Sequence, residues 1–456
     1  MSFGLCNSVT NRAISSEEID KNFDDLHHPL NQLQAETEAS RCLYCYDAPC
    51  ITACPTSIDI PTFIHQIRTE NVHGSAKTIL SENIMGGTCA RACPTEILCE
   101  QACVLNASVE QPINIGSLQR FAVDSLIFKK GASNADAAHP FTRQNNTGKS
   151  LAIIGAGPAG LSCAHRAAML GNEVTIFEAK SKPGGLNEYG LAAYKMVDDF
   201  AQKEVEFLLG IGGINIKYER RLNENVFLNK LQNEFDAVFI GVGLGSVNKL
   251  GINGENDASV IDAIEFIEGV RQASDKSSIT VGNNVIVIGA GNTAIDAAIQ
   301  AKRLGAENVT LVYRRDEQAM SATEWEVDLA RRNQVKIIFW AAPDKYDAEN
   351  SVMVFNKTSL NAGKLVVTDQ SFELPSDMVL TAIGQKLDQQ LVIQSSEDQQ
   401  IDTSAGKIVI SENYQTSLKG VFAGGDCIKG ADLTVQAVQD GKLAAHAIHN
   451  YLMEQE

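Results

Sequence analysis

The sequence predicts an α/β protein: an N-terminal helical, cysteine-rich domain followed by two Rossmann-like nucleotide-binding domains, one inserted in the other. Three observations predict it. Eight of the eleven cysteines lie between Cys42 and Cys103. A pattern of apolar strand, glycine-rich turn and helix occurs twice, from Leu151 and again from Val285. Segments after about Asp377 return to the texture of the first repeat, so the expected boundaries are 1–146, 147–275, 276–376 and 377–456.

A chain of 456 residues exceeds one ordinary core. Its formal charge of −18 would repel phosphate backbones, which excludes nucleic acid as a partner. No apolar run reaches the length of a membrane span, because stretches such as Leu151–Leu161 are interrupted by Gly and Pro. The first twenty residues lack a basic region followed by an apolar one, so no secretory signal and a cytoplasmic setting are expected.

The cysteines fall in two runs, Cys42-x2-Cys45-x4-Cys50-x3-Cys54-Pro55 and Cys89-x3-Cys93-Pro94-x4-Cys99-x3-Cys103. In a secreted chain they would read as a disulfide framework, but beside nucleotide motifs they read as metal ligands. Thiolates suit zinc or iron–sulfur clusters. Structural zinc usually shows two C-x-x-C knuckles, and only Cys42 and Cys45 have that spacing. Short runs ending in Cys-Pro match the ferredoxin pattern, so two [4Fe–4S] clusters are expected. Between the runs, Asp59 and Pro61 open a helix with Phe63, Ile64 and Ile67 on one face. If TEILCEQACV is helical, Cys99 and Cys103 share a face, and spacing alone leaves open whether they serve one cluster or two. Leu118, Phe121, Ala122, Ser125 and Leu126 follow helical spacing, predicting a helix that packs the block onto its neighbour. The polar stretch Gly131–Ser150 reads as a linker.

The first nucleotide motif is LAIIGAGPAGLSCA, in which Gly155, Gly157 and Gly160 form G-x-G-x-x-G with Ala159 inside it. The glycines serve a tight turn, backbone approach to a pyrophosphate and helix–strand packing; the helix N-terminus faces the phosphates. A second strand, EVTIFE, ends in Glu178, suited to ribose hydroxyls. The second motif, VIVIGAGNTAID, has Gly289, Gly291, Asn292 and Thr293, with Ala294 in the third position. Its second strand ends in Arg314 and Arg315, which favours a 2′-phosphate and hence NADPH over NADH, although Asp316 and Glu317 follow at once. Two such sites in one chain point to a resident FAD and a visiting nicotinamide.

The later segment GVFAGGD brings Gly425 and Asp426 to a strand end, facing the flavin's ribityl or phosphate region, and a helix begins near Thr434. Neither nucleotide domain has a cysteine pair; Cys163 and Cys427 are isolated, and Cys427 reads as a packed thiol, which disfavours a dithiol beside the flavin. Electrons must leave by another route. Hydride transfer needs positioned cofactors and no acid or base, so no catalytic side chain is named.

These features, in this order and over nearly the whole chain, resemble the electron-input half of dihydropyrimidine dehydrogenase, and more distantly the glutamate synthase small subunit. The segments carrying the resemblance are NFDDLHHPL from Asn22, RCLYCYDAPCITACPTSIDI from Arg41, PINIGSLQRFA from Pro112 and the GGD segment with Thr434. It implies a crossed ligand set: Cys42, Cys45, Cys50 and Cys103 for one cluster; Cys54, Cys93 and Cys99 for the other, with Gln119 as fourth ligand and Cys89 as its competitor. It also implies a flavin role for Gly184 and Gly185, and for Lys195 in place of an arginine; Ser321 stands where a further arginine would be expected. The pyrimidine-reducing FMN barrel is not among these 456 residues. The resemblance therefore implies a hetero-oligomer in which an FMN- and iron–sulfur-containing catalytic subunit reduces uracil or thymine. The competing readings are a glutamate synthase small subunit, a non-catalytic metal-bearing scaffold, and a zinc-stapled disulfide reductase.

Overall fold

A computed structural model describes residues 14–108, 111–128, 139–388 and 400–454. Cys6 and residues 131–138 of the expected linker lie outside them. Among the described residues no helix is long and apolar enough to cross a membrane. The chain forms two compact units, one of His27–Glu188, Asp198–Gly245 and Leu387–Glu456, the other of 14–26, Tyr189–Val197 and Ser246–Lys386 in their described parts.

In the larger unit a five-stranded sheet runs in the order Val421–Ala423, Ala237–Ile240, Ser150–Ile154, Glu173–Phe177, Ile214–Lys217, with every neighbouring pair parallel. The central strands are nearly all apolar because helices cover a parallel sheet on both faces. The helix Pro158–Met169 packs against Thr434–Met453 so closely that a Cβ on Gly441 would lie 2.1 Å from the Ala159 carbonyl oxygen.

The cysteine block is part of this unit. Its helix Ile60–Arg68 is capped by Asp59, whose Oδ1 accepts from the Thr62 amide at 3.1 Å, and Phe63, Ile64 and Ile67 are fully buried. Each such side chain stabilises the fold by roughly 2 kcal/mol. Helix Ile115–Ile127 buries Leu118, Gln119, Ala122 and Val123, while Ser125 faces solvent. Phe63, Ile64, Ile67, Leu118, Ala122 and Val123 share one continuous core with Leu151, Ile153 and Leu208. No break in packing falls at residue 146: the block and the first nucleotide sheet bury apolar surface against each other. Arg91 reinforces the seam, donating to both Asp124 carboxylate oxygens at 2.8 Å and lying 3.5 Å over the Phe200 ring.

The smaller unit carries a second parallel sheet, in the order Val260–Asp262, Met378–Ala382, Asn284–Gly289, Asn308–Val312, Lys336–Ile338. A three-stranded antiparallel sheet follows it: Ala341–Asp347, Val352–Asn361 and Lys364–Pro375. Here the expected boundaries are corrected. DMVLTAIGQ does not return to the first sheet; Met378–Ala382 pairs with Val285 to Gly289 in parallel register, so the insertion runs from Ser246 to Lys386 rather than 276–376. The antiparallel ribbon of Ser246–Val247 with Gln385–Lys386 joins its two ends. Ile19 and Phe23 also pack into this unit's core, which removes 14–26 from the cysteine block.

Candidate functional site

At the first turn, two of the three glycines have reasons inside the protein. Gly155 has φ +98°, and a Cβ on Gly160 would sit 1.9 Å from the Gly155 carbonyl oxygen. Gly157 is different. Its backbone is extended (φ −78°, ψ −177°), and a Cβ there would meet nothing nearer than Gly185 Cα at 3.9 Å. Neither conformation nor packing demands glycine, and the open space is what a pyrophosphate against the following helix N-terminus requires. Gly184 and Gly185, both with positive φ, close in from the other side: the Gly184 amide donates to the Ala156 carbonyl at 2.7 Å, and a Cβ on Gly185 would lie 2.8 Å from Gly157 Cα. Gly425 is 2.8 Å from Ala159 Cβ by the same measure, and its amide donates to Asp440 Oδ2 at 3.1 Å. Asp440 thus sets the GGD turn, a role its sequence position does not signal.

Glu178 is buried and bound to the turn: its Oε2 accepts from the Ala156 amide at 2.7 Å and its Oε1 from the Lys180 amide at 2.8 Å. Asp426 is half-buried, and burial pushes its carboxyl up to about 6. Thr434 opens its helix and donates to Asn187 Oδ1 at 3.0 Å. Gly155, Gly157, Ala159, Gly160, Glu178, Gly184, Gly185, Gly425, Asp426 and Thr434 all belong to this unit. The extended Gly157 and the two helix N-termini fit a dinucleotide such as FAD.

The second turn repeats the logic. Gly289 has φ +145°; Gly291 is extended (φ −95°, ψ 174°), and its Cβ would meet only Ser321 Oγ at 3.3 Å. Asn292 and Thr293 begin the helix Asn292–Arg303, and Asn292 Oδ1 accepts from the Thr323 amide at 3.3 Å. Arg314 and Arg315 follow the strand Asn308–Val312 and are exposed; among the described residues no carboxylate pairs with either. The acids beside them are engaged: Asp316 Oδ1 accepts from the Ala319 amide at 3.0 Å, and Glu317 pairs with Arg331 at 2.6 Å. Two unneutralised guanidiniums at the strand end fit an anionic 2′-substituent.

Lys195, expected beside the flavin, falls in the smaller unit with its segment, Tyr189–Val197. Its ammonium bridges Asp296, at 2.7 Å, and Glu326. Burial opposes its charge, but the two carboxylates outweigh that and hold its pKa above the usual value. Tyr194 donates to Asp296 Oδ1 at 3.1 Å. Asp296 and Glu326 went unread in the sequence, since nothing local links them to Lys195, 101 and 131 residues earlier.

The cysteines gather in two sets. Cys42, Cys45, Cys50 and Cys103 line one pocket with Ile60, Ile64 and Ile115. Cys93 has Cys89, Cys99 and Cys54 as electrostatic neighbours, and the Cys89 side chain hydrogen-bonds to it. Cys99 and Cys103 part company: TEILCEQACV is not a continuous helix, because the 3-10 turn Thr95–Ile97 ends at Leu98 (φ −118°, ψ −114°). Gln119, 7% exposed, donates through Nε2 to the Gly86 carbonyl at 2.6 Å, so its amide oxygen is the end that could meet a metal. Burial raises Cys42 and takes Cys50 to about 11; the Cys89 contact followed by burial raises Cys93, and burial raises Cys99. Packed thiols of this kind need a cation to become thiolates, which iron would supply. No group of three or more His, Cys, Asp or Glu among the described residues is arranged as a single-ion site. The donor set, sulfur on all but one candidate position, fits clusters. Cys163 and Cys427 are fully buried, as packed thiols are.

Two family models match the chain. Pyridine nucleotide-disulphide oxidoreductase covers residues 149–441, and dihydropyrimidine dehydrogenase domain II, 4Fe-4S cluster, covers 19–130. The NAD-dependent dihydropyrimidine dehydrogenase subunit PreT of Escherichia coli (strain K12) is 35% identical over 431 residues, 94% of this chain and 97% of its own. The PreT homolog of Salmonella typhi is 34% identical over 433 residues, with the same coverage. Among solved structures, Mycobacterium tuberculosis FprA in complex with NADPH aligns with TM-score 0.55 at 18% identity, over 67% of this chain and 85% of that one. Lactococcus lactis thioredoxin reductase aligns with TM-score 0.53 at 21% identity, over 67% and 99%. These two establish likeness of fold.

Proposed function

Because this chain belongs to the pyridine nucleotide-disulphide oxidoreductase family, and within it to the dihydropyrimidine dehydrogenase subunits typified by PreT, we propose that this oxidoreductase is the electron-input subunit of a dihydropyrimidine dehydrogenase. Bound FAD supplies acceptance of a hydride from NAD(P)H and release of its electrons singly, and two [4Fe–4S] clusters supply their onward conduction. The partner is an FMN- and iron–sulfur-containing catalytic subunit that reduces uracil or thymine to the 5,6-dihydropyrimidine.

What carries the reading is that both cysteine sets and the first dinucleotide turn belong to one unit with one continuous core, so a flavin and its electron outlet have a common scaffold. The residues' own work is binding and orientation. Gly157 leaves room for the flavin's pyrophosphate, and Glu178 fixes the turn while offering its remaining lone pairs to a ribose. Cys42, Cys45, Cys50 and Cys103 hold one cluster; Cys54, Cys93, Cys99 and either Gln119 or Cys89 hold the other. Arg314 and Arg315, without a carboxylate partner among the described residues, support NADPH as donor; NADH is the second reading, favoured by the NAD-dependent relatives.

Anaerobic titration of the purified protein with NADPH and with NADH, followed by absorbance and EPR, tests this. Flavin bleaching with about eight irons per flavin is expected. Zinc in place of iron, or a flavin that neither nucleotide reduces, would overturn it. Co-purification with a large glutamine-hydrolysing chain instead of an FMN protein would favour glutamate synthase.

A further inference from the structure

The nine residues Tyr189–Val197 leave the larger unit at Glu188, belong to the smaller one, and re-enter the larger at Asp198. Their anchorage is specific. The Ala193 amide donates to Gln300 Oε1 at 3.0 Å, the Tyr194 hydroxyl reaches Asp296, and the Arg303 guanidinium lies 4.0 Å over the Tyr194 ring. Asp296, Gln300 and Arg303 are one face of the helix that begins at the second glycine turn. Lys195 extends this contact to a second element. Its ammonium, 7% exposed, touches Asp296 on that helix and Glu326 on Glu324–Arg332. The latter helix ends the loop that carries Arg314 and Arg315. Near that end, the Ala322 amide donates to Ala290 at 3.0 Å and the Thr323 amide to Asn292.

We propose that Lys195 is a positioning residue for the nicotinamide nucleotide and not a flavin contact: its bridge holds the phosphate-facing helix and the helix closing the arginine-bearing loop in one arrangement. The inference rests on the electron-input reading for the identity of the nucleotide. An ammonium shared by two buried carboxylates has two of its three N–H groups and its charge committed to holding them together, and its loss would set two buried anions against each other across the two elements that receive the dinucleotide.

The test compares Lys195→Met, Lys195→Arg and Glu326→Gln in the full chain, with ferricyanide as acceptor and direct binding of NADP+ and NAD+ as a second measure. Lys195→Met is expected to raise donor KM and nucleotide Kd at least ~10-fold, with kcat within ~3-fold and flavin content unchanged. Lys195→Arg should recover most of the loss. Glu326→Gln retains a balanced Lys195–Asp296 pair and should give an intermediate KM; it decides the matter if Lys195→Met does not fold. Unchanged nucleotide affinity in Glu326→Gln and in any folded Lys195→Met would overturn the inference. So would loss of flavin at unchanged affinity, which would return Lys195 to the flavin. A wild-type flavin that neither donor reduces sinks the functional reading instead, and the binding measurements still judge Lys195.

Discussion

The two dinucleotide turns share a backbone plan and differ in how far the protein has already satisfied them. At the first, Glu178 is buried and uses both oxygens on backbone amides, Gly184 bonds to Ala156 and Gly185 leans on Gly157, and the helix Thr434–Met453 packs against Pro158–Met169. At the second, Arg314 and Arg315 stand exposed with no carboxylate partner among the described residues, and the third motif position tolerates Ala294. A turn organised inward suits a resident cofactor; one that leaves its charges in solvent suits a ligand that comes and goes. On the proposed function the same fold would serve two lifetimes of occupancy, and the difference would lie in what surrounds the glycines.

The sharpest way to break this comparison is at the glycines themselves. Gly160→Ala drives a methyl into the Gly155 carbonyl, and overpacking on that scale should cost about 3 kcal/mol and the flavin with it, read by denaturant melting and absorbance. Gly157→Ala meets open space and Gly291→Ala only the Ser321 hydroxyl, which can turn aside, so both should fold within about 1 kcal/mol of the parent. They should then diverge: the first purifies without flavin, the second keeps its flavin but is no longer reduced by nucleotide. If both retain full function, the cradle argument fails at both turns.

These glycines were legible because a Rossmann turn is a local pattern in which strand, turn and helix occur within fifteen residues. The helix opened by Asp59 was legible for the same reason. What the pattern could not show was pairing over distance. Met378–Ala382 has the apolar texture of either sheet, and only its register with Val285 to Gly289 assigns it. Residues 14–26 read as part of the cysteine block until Ile19 and Phe23 find the second core. Lys195 was read by analogy with an arginine, and its partners at 296 and 326 carry no local signal. Cys99 and Cys103 have helical spacing, but Leu98 takes a conformation that no helix contains.

The open side of the comparison is sharpened by the arginines. Arg314→Ala and Arg315→Ala should each reduce the preference for NADPH over NADH roughly tenfold, about 1.4 kcal/mol, with little effect on stability. The measurement is kcat/KM for each donor. Equal losses with both donors would mean that the pair serves the pyrophosphate or the surface instead of a 2′-phosphate.

The inward side contains a smaller, pH-dependent signature. Glu204, on helix Phe200–Leu209, is fully buried and accepts from the Gly87 amide at 2.8 Å, the Thr88 amide at 3.0 Å and the Thr88 hydroxyl. It thereby ties down the helix that carries Cys89. Burial raises its carboxyl to about 7 against those hydrogen bonds. The folded protein therefore keeps a proton that the unfolded chain releases above the ordinary carboxylate range. Stability falls as pH rises through that window and levels off above about 7, with a loss on the order of 3 kcal/mol. Glu204→Gln cannot ionise, and its carbonyl can still accept from both amides. Its melting temperature should gain on the parent's as pH rises from about 5 to 8 and exceed it at the upper end, because the other shifted groups, Asp426 with its raised and His165 with its lowered pKa among them, contribute equally to both proteins. A parent-like slope in the variant would show that Glu204 is already ionised in the fold, and that the amides of Gly87 and Thr88 fully offset the cost of burying its charge.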